Sequence, residues 1–260
     1  MNNLRVYGQS PFSIAVVHGG PGAAGEMASV ARELASTGGI LEPLQTATSL
    51  AGQVEELKTV LETRGDLPVI LIGYSWGAWL SFITAARYPA LVKKLILVSS
   101  GPFEEIYVTQ LQENRHNRLN VAERAEFEAL VQALADPATA NKDAQLARLG
   151  ELVAKTDQYD PLPADSSDLI GLQGDLYQSV WQEAAAMRQN GELLALSQHL
   201  SCPVAALHGD YDPHPAVGVQ QPLSTLKDFR FILLEKCGHK PWLERQARDK
   251  FYDMLKEELS

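Results

Sequence analysis

Apolar positions along this chain follow two rhythms. Short, near-continuous apolar runs occupy Ile14-Ala15-Val16-Val17, Pro68-Val69-Ile70-Leu71-Ile72, Lys94-Leu95-Ile96-Leu97-Val98-Ser99, Pro203-Val204-Ala205-Ala206-Leu207-His208 and Phe229-Arg230-Phe231-Ile232-Leu233-Leu234. Ile40-Leu41 is a weaker strand signal, interrupted by Pro43. Between the runs lie helical patterns over 23–37, over Ser49 to Arg64 with Leu50, Val54, Leu57, Val60 and Leu61 on one face, over Ala78 to Tyr88, and over about Trp242–Glu258. Runs of this kind alternating with helices predict parallel strands buried on both faces, hence an α/β fold with a mostly parallel, doubly wound sheet.

The alternation stops between residues 102 and 199. Helical periodicity covers 121–134, 144–154 and roughly 176–200, and Asp160-Pro161-Leu162-Pro163 interrupts the stretch once. The expected organisation is a core of residues 1–101 and 200–260 carrying a helical cap insertion at 102–199. A chain of 260 residues suits one such domain.

Composition narrows the function. Hydrophobic residues make up 45% and charged residues 21%, the balance of a soluble globular protein. The net charge of −10 disfavours a nucleic-acid binder and fits poorly with attraction to an anionic membrane. Two cysteines, Cys202 and Cys237, do not make a disulfide framework. The first residues lack a signal-peptide pattern, and no apolar run approaches the ~20 residues of a membrane span. A cytoplasmic protein acting on a small molecule is expected, with monomer and homodimer both open.

The chemistry begins at Gly73-Tyr74-Ser75-Trp76-Gly77, a G-x-S-x-G pentapeptide between a strand and a helix. A serine at such a turn is held out of the sheet, and the following helix aims its free N–H groups and positive dipole end at charge developing nearby. Asp210 and Asp212 follow the strand ending at His208, and His239 follows the strand at 229–234. All three positions fall at C-terminal strand ends, the edge of a parallel sheet where ligands bind. A serine hydroxyl needs a base, which His239 can supply, and a carboxylate must fix the imidazole tautomer. Asp212 is the expected acid, because Asp210 sits in the tight His208-Gly209-Asp210-Tyr211 turn, where Asp serves local backbone bonding. The expected oxyanion donors are the N–H groups of Trp76 and of Gly20, in the glycine-rich loop after the first strand.

With these residues assembled, the chain resembles the α/β-hydrolase superfamily. His18-Gly19-Gly20-Pro21-Gly22 together with Gly73-Tyr74-Ser75-Trp76-Gly77 is similar to the proline iminopeptidase branch, which pairs an HGGPG loop with a G-x-S-W-G elbow. The resemblance covers about residues 12–100 and 201–258 and implies a Ser-acid-His hydrolase whose insertion is a cap or lid. Two departures mark a trimmed core. Only about ten residues precede the HGGPG strand, where the family places a hairpin, so the first strands are expected to be shortened or missing. The family's D-x-x-G-x-G-x-S motif is also absent.

The expected function is a small-molecule carboxylesterase. Alternatives are an aminopeptidase of the proline iminopeptidase type and a ligand-binding or receptor protein with slow turnover, since one fold hosts many chemistries. No cofactor is implied, and His208, His214, His199 and His116 show no metal-ligand spacing. His18 reads as a prop for the oxyanion loop. Glu104, Tyr107 and Trp181 are the candidate substrate contacts in the insertion. Glu104-Glu105 reads more simply as a helix start, and Asp157, Asp160 and Glu183 remain unplaced carboxylates.

Overall fold

The computed structural model describes residues 3–136, 138–163, 167–171 and 173–259. Seven strands form one sheet in the order β1-β3-β2-β4-β5-β6-β7. They are β1 (Leu4–Tyr7), β2 (Ile14–Val17), β3 (Ile40–Pro43), β4 (Val69–Tyr74), β5 (Val92–Val98), β6 (Val204–Gly209) and β7 (Phe229–Leu234). All neighbours pair in parallel except β1, which runs antiparallel to β3 from Leu4↔Pro43 to Tyr7↔Ile40. The chain order reverses at β2, which lies between β3 and β4, so the loops after β2 and β4 flank a switch-point crevice.

Alternate residues of each central strand feed two separate cores. Ala15, Val17, Leu71, Leu95, Leu97 and Ala206 face one side, packed by α2 (Leu50–Arg64), α3 (Trp76–Arg87) and the helix Val217–Leu223. Ile14, Val16, Ile70, Ile72, Ile96 and Val98 face the other, against α1 (Ala28–Leu34) and the C-terminal helix Arg248–Leu259. Burial on both faces is why these strands read as unbroken apolar runs.

Between β5 and β6 the chain is helical: α4 (Val108–Asn117), α5 (Val121–Ala135), α6 (Lys142–Asp157), α7 (Gly174–Gln189) and the short α8 (Glu192–Ala195). The α5–α6 hairpin has its own small core of Leu119, Leu130, Leu134, Leu146, Leu149 and Leu152. A reciprocal capping box between Asn120 and Glu123 starts α5. α9 (Val217–Leu223) follows β6, and α10 (Arg248–Leu259) follows β7. None of the described helices is long and apolar enough to cross a membrane.

Two expectations change, and a third is met in its milder form, the first strand being short rather than missing. A first strand is present: β1 forms the sheet edge, and its Tyr7 hydroxyl donates at 2.7 Å to the fully buried Glu42 of β3. The helix expected from 176 to 200 ends at Gln189, because Gly191 turns left-handed (φ +81°) and starts a new short helix. The closing helix begins at Arg248 rather than Trp242, because residues 241–247 pair with the segment after α6, where Pro161 bridges to Glu244.

Candidate active site

Ser75 sits between β4 and α3 with φ +53° and ψ −116°. A non-glycine residue there is strained and persists only where its surroundings over-determine it. Its N–H donates to the Val98 carbonyl at 2.9 Å, fastening the turn to β5. Gly77 lets α3 press against the end of β2, since a Cβ at that position would collide with the carbonyl oxygens of Val17 and His18. The elbow and the glycine loop are therefore in direct backbone contact.

Three side chains from three strand ends meet at this point. The Ser75 hydroxyl lies 3.0 Å from His239 Nε2, and His239 Nδ1 donates to Asp212 Oδ2 at 2.7 Å. The carboxylate cannot donate, so Nδ1 carries the proton and Nε2 is left to accept from Ser75. Asp210 has a different partner: its Oδ1 accepts from the Cys237 N–H at 3.1 Å, bracing the loop rather than the ring.

The pocket around Asp212 holds two histidines besides His239. His214 reaches Asp212 Oδ1 with both its Nδ1, at 2.7 Å, and its backbone N–H, at 2.9 Å. His208 Nε2 donates to the His214 carbonyl at 2.8 Å and lies 3.7 Å from Asp212 Oδ2. Burial works to raise the Asp212 carboxyl, but the facing His239, His214 and His208 outweigh it and hold it well below the usual range. Burial also pushes His214 down to about 4, against the pull of Asp212.

The helical insertion adds a second charged pair. Asp157, at the end of α6, is buried and accepts two bonds from Arg115 of α4, at 3.0 and 2.6 Å. Burial opposes ionisation of Asp157, and Arg115 overcomes it, so the carboxyl stays below its ordinary value. One potential ligand atom each from Asp157, His214 and His239 falls within 4.8 Å of the others, close enough to hold a metal ion. Each of these residues nevertheless has a hydrogen-bond partner: Arg115 for Asp157, Asp212 for His214, and Ser75 and Asp212 for His239.

The remaining candidates are spread more widely. Gly20 has φ +106°, a conformation suited to glycine, and stands in the loop touching the elbow. Trp76 is the first residue of α3, so its N–H has no acceptor within the helix. Its indole is fixed by Gln53, whose Oε1 accepts from Nε1 at 3.2 Å. Trp181 of α7 lies between Trp79 of α3 and Tyr177, with near-parallel rings 5.7 and 6.2 Å apart. Trp79 is one helical turn beyond Ser75, so Trp181 reaches the helix that carries the elbow. Tyr107 is engaged with α9, donating its hydroxyl to Gln221 at 3.0 Å. Glu104 is half-buried ahead of a short 3₁₀ turn at Glu105–Tyr107. Its neighbour Glu105 pairs with Arg188 at 2.7 Å, and Glu183 accepts from the Leu50 N–H at the start of α2. The nitrogen His18 Nε2 accepts from the Gln45 N–H at 3.3 Å and Nδ1 lies 2.7 Å from the Gly19 carbonyl, so the ring braces the glycine loop.

Residues 3–246 match the family of the alpha/beta hydrolase fold. The chain belongs to that family. This alpha/beta hydrolase is 30% identical over 74 residues to ethanol acetyltransferase 1 of the yeast Cyberlindnera jadinii, a match covering 28% of this chain and 22% of that enzyme. Its fold is similar to that of VinJ, with a TM-score of 0.67, 17% identity, and 98% and 93% of the two chains covered. It is also similar to proline iminopeptidase from Mycobacterium smegmatis, with a TM-score of 0.63, 18% identity, and 98% and 94% covered. At these identities the structural likeness speaks for the fold alone.

Proposed function

We propose that this alpha/beta hydrolase is a serine hydrolase that cleaves small neutral esters through an acyl-enzyme. The supporting observation is the unbroken chain from Ser75 to His239 to Asp212, with contacts of 3.0 and 2.7 Å. Ser75 attacks the carbonyl carbon while His239 Nε2 takes its proton. Asp212 holds the tautomer and stabilises the imidazolium. The N–H groups of Gly20 and Trp76 receive the oxyanion, and the N-terminus of α3 favours its charge. His239 then returns the proton to the leaving alcohol and activates water against the acyl-enzyme. Residues 102–199 act as the lid over this site.

An ester is favoured over a peptide by how the neighbouring carboxylates are occupied. Asp157 is paired with Arg115, Glu105 with Arg188, and Glu26 with Lys240 at 2.8 Å. At each of these three carboxylates a substrate ammonium group would have to displace a cation already in place. The partial likeness to an ethanol acetyltransferase supports a second fate for the acyl-enzyme, transfer to an alcohol.

Wild-type protein should hydrolyse p-nitrophenyl acetate and butyrate faster than proline p-nitroanilide, and a fluorophosphonate should label Ser75. Ser75→Ala should lose both activities and remain folded. Labelling without turnover would point to a receptor, and faster anilide cleavage would point to the aminopeptidase. Ethyl ester formation in the presence of ethanol would establish the transfer route.

A further inference from the structure

We propose that Glu244 is a positioning residue for His239: its carboxylate fastens the segment after α6 to the loop carrying the histidine, so the imidazole is aligned on Ser75 only while the helical insertion is docked. This inference rests on the serine-hydrolase reading above.

The loop carrying His239 has three successive N–H groups, and each finds a partner from a different part of the chain. Cys237 donates to Asp210 Oδ1 at 3.1 Å, Gly238 to Glu244 Oε1 at 3.0 Å, and His239 to the carbonyl of Asp157 at 2.6 Å. Glu244 also accepts from two amides of the insertion, Tyr159 N–H at 2.9 Å on Oε1 and Asp160 N–H at 2.8 Å on Oε2. One carboxylate thus binds the histidine loop with one hand and the insertion with the other. The two segments then run side by side, with Leu162 N–H on the Leu243 carbonyl at 2.7 Å and Arg245 N–H on the Asp160 carbonyl at 3.0 Å.

The chemistry of the site calls for a carboxylate. Glu244 is fully buried, so its charge must be met by donors in place. Three convergent N–H groups need an acceptor with two oxygens and no hydrogen of its own, which only an ionised carboxylate provides. A glutamine turns an NH₂ group toward at least one of those amides, leaving donor against donor. An alanine leaves all three unpaired in a dry site. Neither change touches the imidazole, Ser75 or Asp212, so any effect on reactivity must pass through the backbone that carries His239.

Glu244→Ala, Glu244→Gln and a control, Arg32→Ala, separate this role from simple stability. Arg32 forms an exposed ion pair with Asp168 at 2.5 Å and so ties a different part of the insertion to the core. Three quantities are read: the fluorophosphonate labelling rate, kcat and KM on p-nitrophenyl butyrate, and the low-field proton resonance of His239 Nδ1–H. Glu244→Ala should slow labelling and kcat by about 100-fold, since misplacement by ~1 Å has that cost. KM should stay within about threefold, and the low-field resonance should broaden or shift. Glu244→Gln should lose about tenfold. Arg32→Ala should keep the wild-type rate and resonance. A folded Glu244→Ala protein with wild-type labelling and an intact resonance overturns the proposal. If that variant does not fold, Glu244→Gln decides by the same readouts. If wild-type protein is neither labelled nor active, the serine-hydrolase reading fails, while the resonance comparison still tests the positioning.

Discussion

His214 and His239 lie ring on ring with centroids 4.4 Å apart, and each presents Nδ1 at 2.7 Å to a different oxygen of Asp212. One carboxylate therefore orients two imidazoles. A second cation stacked on His239 would oppose the imidazolium that the proposed proton transfer would create there, and burial prevents this by keeping His214 neutral above about 4.

That arrangement sets an acid limit on stability. His214 in the unfolded chain takes up a proton below 6.5, whereas in the folded protein it does so only below about 4. Between these values the unfolded state binds more protons, so stability falls as pH falls, by on the order of 3 kcal/mol across the window. Above 6.5 His214 adds nothing further. Asp212, held well below 3.8, contributes stability that is fully present above 3.8 and is lost only as pH drops through its depressed folded value. Urea unfolding of wild type at several pH values between 4 and 7 should show the slope, and His214→Phe should flatten it.

The two aspartates after β6 should separate cleanly. Asp212→Asn can present its NH₂ to the ring and favour the wrong tautomer, so kcat on an ester should fall by about 10⁴-fold. Asp210→Asn keeps an oxygen for the Cys237 N–H and should cost about tenfold or less. Equal losses in steady-state kinetics would contradict the assignment.

Arg115 and Asp157 should be strongly non-additive. Removing Arg115 leaves Asp157 buried without its partner, at a cost of about 3–5 kcal/mol, and removing Asp157 costs less because Arg115 is only half-buried. The double replacement Arg115→Met with Asp157→Leu should cost less than the sum of the single changes. A denaturant double-mutant cycle gives the coupling directly.

Gly77→Ala tests the backbone contact beneath the elbow. The added methyl meets the Val17 and His18 carbonyls, so β2 and α3 must part. Overpacking of this kind costs about 1–3 kcal/mol, visible as a lower melting temperature. Fluorophosphonate labelling should slow as well, because Ser75 and the glycine loop move apart.

Much of this fold can be read before any coordinates are known, for a physical reason. Strands β2, β4, β5 and β6 are covered on both faces or nearly so, and that burial writes itself as apolar runs. The edge strand β1 carries Leu4 inward but leaves Val6 exposed, and its pairing depends on backbone bonds to β3 that leave no side-chain signature. Helix α4 has no buried residue, so it lacks the apolar stripe that periodicity detects.

The site divides in the same way. That Ser75 and His239 come together can be read from the sequence, because strand ends and small residues frame both. The choice between Asp210 and Asp212 depends on which carboxylate reaches a ring rather than an amide, a matter of a few ångströms. Arg115 and Glu244 were invisible as site residues. Each looks like an ordinary surface charge until the tertiary fold brings its partners to it. His214 offered one faint signal, a histidine two residues beyond a candidate triad acid in Asp212-Pro213-His214-Pro215.

Where Gly77 meets Val17 and His18, the spacing between the Ser75 elbow and the glycine loop is set by main chain against main chain. Substitutions elsewhere have no side chain through which to retune that gap. That gap does not depend on the helices between β5 and β6, whose packing can change without moving the elbow against the glycine loop.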